Sequence, residues 1–99
     1  MTIETKMDLE GLVAVVTGAA QGLGFGIARE LARRGAQVIV ADIQLGKAEE
    51  ACEQMRADRL AAHTAQLDIT ASAAVNDFFA GLDRLDILVN NAGTGQQVT

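Results

Sequence analysis

The sequence has no proline, no tryptophan and no tyrosine, one cysteine, one histidine, and phenylalanine only at Phe25, Phe78 and Phe79. Each shortage excludes something. A lone cysteine, Cys52, cannot form an internal disulfide, and it reads as a small buried side chain in a reducing compartment. His63 stands without a cysteine or carboxylate at ligand spacing, so no metal site is expected. With so few aromatics, a core must be built from Val, Ile, Leu and Ala, which suits close packing of helix on sheet. Cations are short as well, 8 Lys and Arg against 13 Asp and Glu for a net charge of −5. Nucleic acid needs a concentrated cationic surface, so it is not an expected partner. The cluster Arg29, Arg33 and Arg34 reads instead as a solvated helix face near a C-terminus, where the helix dipole favours cations. No apolar run approaches a membrane span, and the opening MTIETKMDLEG lacks the apolar core of a signal peptide. The expected address is cytoplasmic.

What is present has a regular period. The run Leu12 to Val16 is continuously apolar and β-branched and leads into glycine, as in a strand covered on both faces. Leu23, Ile27 and Leu31, beside Ala28 and Ala32, then form one helical stripe over Gly22 to Arg34, and Gly35 is placed to end that helix. A second strand over Gln37 to Ala41 ends at Asp42. Residues 45 to 58 carry Ala48, Ala51, Cys52 and Met55 on one helical face. Leu60 to Leu67 is read as a third strand on context alone, since alanine and histidine have little strand preference. Val75, Phe78, Phe79 and Leu82 predict a helix over Ala71 to Leu82, with Thr70 as its cap. Ile87 to Val89 make a short fourth strand. This βαβαβαβ order, joined by right-handed crossovers, predicts an α/β fold of Rossmann type: a parallel sheet in the order 3-2-1-4 with helices on both faces. The 99 residues leave room for one partial domain and no second.

Between the first strand and its helix lies Thr17-Gly18-Ala19-Ala20-Gln21-Gly22-Leu23-Gly24. Gly18 can turn sharply off the strand, Gly22 lets backbone approach a pyrophosphate, and Gly24 allows tight packing of helix on sheet. The helix start adds free N–H groups and about half a positive charge. An ATP- or GTP-binding loop would need Lys followed by Ser or Thr at this helix start, and the chain has Leu23-Gly24-Phe25. Asp42, 18 residues beyond Gly24, stands where a ribose-binding acid belongs. Its carboxylate can accept from both ribose hydroxyls and would repel a 2′-phosphate, which favours NAD over NADP. No arginine occupies position 43 or 44 to receive such a phosphate, although Lys47 stands within reach.

The spacing Thr-Gly-x3-Gly-x-Gly, followed in order by Leu67-Asp68-Ile69-Thr70 and Asn90-Asn91-Ala92-Gly93, strongly resembles the classical short-chain dehydrogenase/reductase family. The resemblance runs from Leu12 to Gly93, and Gln21 stands where the family's extended branch has glycine. It implies that Gly18, Gln21, Gly22, Leu23 and Gly24 meet the pyrophosphate and the nearby nicotinamide ribose, and that Asp42 with Ile43 meets the adenosine ribose. It further implies that Asp68 and Ile69 hold the adenine, that Asn90 serves partly the cofactor and partly the sheet, and that Ala92 and Gly93 lie beside the cofactor. Without the family, Asp68 reads as a strand-end acid near a helix start, and Asn90 and Asn91 as sheet braces.

Catalysis in the family runs through Tyr-x-x-x-Lys with a serine and an asparagine, all beyond the fourth strand. This chain has no tyrosine, one serine at Ser72 and lysines only at Lys6 and Lys47. No catalytic residue is therefore assigned. The leading expectation is the NAD-binding portion of an oxidoreductase that transfers hydride between NAD(H) and an alcohol or carbonyl, cut short of its catalytic and substrate half. The alternatives are a non-catalytic nucleotide-binding or interaction module and a remnant that binds nothing. A chain ending there would leave its fourth strand as an exposed edge, inviting self-association.

Overall fold

The computed structural model describes residues 8–92. Seven elements follow in order: β1 (Val13–Thr17), α1 (Gly22–Arg33), β2 (Gln37–Asp42), α2 (Leu45–Ala57), β3 (Ala62–Gln66), α3 (Ser72–Ala80) and β4 (Ile87–Asn90). All strand pairs are parallel, and the sheet order is β3-β2-β1-β4. The expected architecture and strand order are what the chain adopts.

Register explains how the apolar runs are used. Val16 pairs with Val40 and Val89, so side chains of the three strands share one face, where Ala28 and Ala32 of α1 and Ala48, Ala51, Cys52 and Met55 of α2 cover them. Val15, paired with Ile39 and Leu88, points the other way, toward Val75, Phe78, Phe79 and Leu82. Successive strand residues serve opposite layers, which is why β1 and β2 need apolar residues without alternation. Cys52 is fully buried as a free thiol, the role its surroundings predict.

Two helices end in the same device. Gly35 has φ +106°, its N–H donates to the Ala32 carbonyl and the Ala36 N–H reaches back to Leu31, a Schellman closure of α1. Around α2, the Arg59 and Leu60 N–H groups donate to Arg56 and Met55 in the same pattern, but the left-handed position, φ +65°, is filled by Arg59. The expected cap of α3 is not formed: Ala71 precedes the helix without a side-chain cap, and the Thr70 hydroxyl donates to Asp68 instead. The helix begins one residue later than a Thr70 cap requires, which puts Ala71 at the capping position and leaves the Thr70 hydroxyl to the bend before it. The basic cluster lies on a solvent-facing surface, and two of its members are also ion-paired there, Arg29 with Asp58 and Arg34 with Asp8, 2.7 Å away. No described helix is long and apolar enough to cross a membrane.

Candidate functional site

The carboxyl ends of the four strands meet on one side of the sheet, and the glycine loop is fastened there from three directions. Gly18 leaves β1 with φ +64°, and its N–H donates to the Ala41 carbonyl of β2 at 2.8 Å. From β4, the Asn91 amide donates to the Gly18 carbonyl at 3.1 Å. Asp42 closes the third side, accepting the Ala20 N–H on Oδ2 at 3.2 Å and the Gln44 N–H on Oδ1 at 2.9 Å. A carboxylate has about four acceptor positions, so capacity remains for two ribose hydroxyls.

The three glycines of the loop do different work. A Cβ on Gly24 would lie 2.2 Å from the Gly18 carbonyl oxygen and 2.6 Å from Asn91 Nδ2, so only glycine lets α1 start this close to the loop. Gly22 has φ +64° and nothing within 4 Å of the same construction, leaving open space before the helix start. No side chain caps α1, and its first turn contains no acid. Those N–H groups and the dipole are therefore left for an external anion. Both the closed side at Gly24 and the open side at Gly22 fit a pyrophosphate.

Beside the loop is a cleft of about 250 Å³ that gathers Gly18, Asp42, Ile43, Asp68, Ile69 and Ala92 with Leu67 and Thr70. Asp68 accepts both the Thr70 hydroxyl, at 2.6 Å, and the Thr70 N–H, at 2.9 Å, on Oδ1. The hydroxyl bond first, and the N–H bond second, hold its carboxyl below the usual carboxylate range. Among the described residues Oδ2 receives neither bond, so an ionised oxygen is available to an amino group. Ile43 is 55% exposed and Leu23 74%, apolar surface that a flat ring or sugar could cover.

Asn90 does not line that cleft. It faces a second hollow, of about 260 Å³, with Val75, Phe79 and Leu88 on the α3 side. Thr17, quoted in the loop motif but given no role from the sequence, is the joint between β1 and β4. Its hydroxyl lies 3.2 Å from Asn90 Oδ1 and accepts the Ala92 N–H at 3.0 Å. Its signals in the sequence are a hydroxyl ending an otherwise apolar strand and its place at the head of the Thr-Gly-x3-Gly-x-Gly spacing. Gly93 lies outside the described residues. No group of three or more metal-ligating side chains occurs among the described residues.

A parallel sheet in the order 3-2-1-4, with a glycine loop between β1 and a helix start and an acid ending β2, defines a Rossmann-type dinucleotide-binding unit. The sequence matches the short chain dehydrogenase family over residues 12–99, and the chain belongs to that family. It is 47% identical over 85 residues to the uncharacterized oxidoreductase YxjF of Bacillus subtilis (strain 168), covering 82% of this chain and 33% of that protein. To gluconate 5-dehydrogenase of Gluconobacter oxydans (strain 621H) it is 40% identical over 90 residues, covering 87% and 35%. Among solved structures, hydroxysteroid dehydrogenase from Escherichia coli superposes with a TM-score of 0.81 at 36% identity, over 91% of this chain and 40% of that one. A metagenomic short-chain oxidoreductase in complex with NADP does so with 0.80 at 38% identity, over 86% and 40%. The chain spans about a third of the length of the curated relatives it matches.

Proposed function

We propose that residues 1–99 form one partial domain, the cofactor-binding segment of an oxidoreductase acting on an alcohol or carbonyl, and that the dinucleotide it prefers is NAD. The cleft that unites Gly18, Asp42, Asp68 and Ala92 at the strand ends carries this reading. Gly18, Gln21, Gly22, Leu23 and Gly24 hold the pyrophosphate side, Asp42 and Ile43 the adenosine ribose, and Asp68 and Ile69 the adenine. Asn90 acts through Thr17 rather than by lining the adenosine cleft, and Ala92 with Gly93 supplies backbone without bulk beside the cofactor. When bound, such a dinucleotide supplies hydride transfer at its nicotinamide ring. The chain's own residues bind it and orient it; no proton-transfer role falls to any of them.

The preference for NAD rests on Asp42, whose charge meets the ribose position. Calorimetric titration of the folded chain tests it. NAD should bind more tightly than NADP, and Asp42→Ala should weaken NAD about tenfold and narrow the gap, the loss expected for charged hydrogen bonds. An unchanged ratio would move the determinant elsewhere, and no binding by a folded chain would refute the cofactor reading. A buried free thiol at Cys52 supports a reducing, cytoplasmic setting. Self-association through β4 is the further reading: among the described residues β4 ends the sheet, paired with β1, and Leu88 is 50% exposed. Sedimentation should show mass rising with concentration, and a monomer throughout would dismiss the idea.

A further inference from the structure

The sheet has a second edge, opposite β4. Among the described residues β3 pairs with β2 alone, in the register Val38↔Ala62 to Asp42↔Gln66. The Val38 N–H donates to the Ala61 carbonyl and the Leu67 N–H to the Asp42 carbonyl, both at 3.0 Å. A parallel ladder with these ends bonds β2 through His63 and Ala65, and it turns the N–H and C=O groups of Ala62, Thr64 and Gln66 outward. One of these already has a donor: Arg56 of α2 reaches over the edge, and its Nε donates to the Ala62 carbonyl at 2.9 Å. Among the described residues no side chain covers the backbone of Thr64, midway along the edge, in this way.

Beside that edge opens a groove of about 570 Å³, lined by Glu49, Glu53, Arg56, His63 and Thr64. Glu49, Glu53 and Arg56 recur at i, i+4 and i+7, so they form one exposed stripe of α2. Arg56 stands at the Ala62 end of β3, and Glu49, two turns back along a helix that runs against the strand, stands toward the Gln66 end. None of the three is in an ion pair among the described residues.

The stripe matches itself when reversed. A two-fold axis through Thr64, perpendicular to the sheet, sets a second β3 antiparallel to the first, with Thr64 opposite Thr64 and Ala62 opposite Gln66. These opposed residues then exchange both backbone bonds. The Ala62 carbonyl has a second lone pair, so Arg56 keeps its bond. Both α2 helices lie on one face, where Glu49 of each copy meets Arg56 of the other and Glu53 meets Glu53. Two attractive pairs flank one repulsive pair, and the contact closes on itself as a two-fold dimer requires. The net charge of −5 repels copies at a distance, but physiological salt screens that repulsion beyond roughly 8 Å.

We propose that the outer edge of β3, with the stripe of Glu49, Glu53 and Arg56 beside it, is an interface for a second copy of this chain, joining two four-stranded sheets into one. With five residues in the strand the dimer is weak and reversible. The inference is independent of the cofactor reading and of any pairing through β4.

The test is sedimentation of the full chain and its variants over a range of concentration at about 0.15 M salt. Mass should rise toward that of a dimer. Thr64→Pro removes an N–H that faces away from β2, so circular dichroism should be kept while association falls at least about tenfold. Glu49→Arg and Arg56→Glu should each weaken association about tenfold, and an equal mixture of the two should restore it, because both pairs then join opposite charges. Glu53→Gln should tighten it about threefold. Leu88→Lys, at the other edge, should leave it unchanged. A monomer throughout overturns the inference, as does association that survives Thr64→Pro or that Leu88→Lys removes. A mixture of the two folded charge variants that stays monomeric overturns it too. If Arg56→Glu does not fold, Thr64→Pro and Glu49→Arg decide alone, and association unchanged by either overturns the inference.

Discussion

The two layers of helix that cover the sheet are unequal. On one face α1 and α2 lay six fully or nearly fully buried residues, Ala28, Ala32, Ala48, Ala51, Cys52 and Met55, against β1, β2 and β3. On the other, α3 has no buried residue, and β4 alternates between half-buried and exposed side chains. The side of the cleft that holds Gly18 and Asp42 is built on the thick half, between β1 and β2. The side that leads through Ala92 is built on the thin half. Burial drives stability roughly in proportion to apolar area, so the anion cradle and Asp42 belong to the firm part of the molecule, and β4 to the part that opens first. Polar links compensate at β4: Thr17 to Asn90 and Ala92, Asn91 to Gly18, and at its start the Val13 N–H to Asp86, 2.8 Å.

The sharpest break in that comparison is at Gly24, where the halves touch. Gly24→Ala drives a methyl into backbone and Asn91, so unfolding free energy should fall by about 3 kcal/mol and dinucleotide binding should be lost with it. Gly26→Ala, two residues on with nothing within 4 Å, should instead stabilise by about 0.5 to 1 kcal/mol. Urea titration of the pair checks both, and equal effects would mean that the close approach at Gly24 is unimportant.

Next in size is a truncation in each layer. Met55→Ala, fully buried, should cost about 3 kcal/mol, and Val75→Ala, half-buried on α3, about 1 kcal/mol. Matching losses would abolish the distinction between thick and thin halves. A smaller change sharpens it: Arg59→Gly relieves a left-handed residue at the end of α2 and should raise stability by about 0.5 to 1 kcal/mol, seen as a higher urea midpoint.

The smallest effect is on pH. Asp86 lies below the ordinary carboxylate range because it accepts the Val13 N–H and, second, because Arg84 bonds to it. A lowered folded-state value means that its contribution is full above the unfolded value near about 4 and is lost as pH falls through the folded one. Hydrogen exchange should therefore rise at β4 before β2 on acidification. Asp68, lowered by Thr70, has the same sign, so if it holds the adenine as proposed, dinucleotide binding should weaken over the same interval. Simultaneous exchange of β2 and β4 would count against a weaker β4.

Much of this was legible along the chain. Continuous apolar runs, the 3.6 period and, for β3, context placed all seven elements, with boundaries moved by a residue or two: β3 shrank from Leu60–Leu67 to Ala62–Gln66, and α3 from Ala71–Leu82 to Ser72–Ala80. Glycine spacing and Asp42 located the cradle because backbone conformation and charge at a strand end are local requirements. Thr70 was misread because the helix begins one residue later than its apolar spacing suggests, which puts Ala71 at the cap and leaves Thr70 to bond Asp68, two residues before it. The pairing of Arg29 with Asp58 joins residues 29 apart in the chain, and neither neighbourhood hints at it.

By itself the sequence determined the parallel α/β order, the glycine loop, and an acid where a ribose would lie, because each follows from propensity, periodicity or spacing along one stretch of chain. Tertiary structure alone decided that Gly24 must be glycine on account of Gly18 and Asn91, that Thr17 binds β1 to β4, that Asn90 faces α3 rather than the adenosine cleft, and that Lys47 reaches Gln21 beside Asp42. These depend on strand register and on the approach of helix to sheet. Contacts between residues 26 to 75 positions apart are set by how the layers close, and no local pattern encodes that closure.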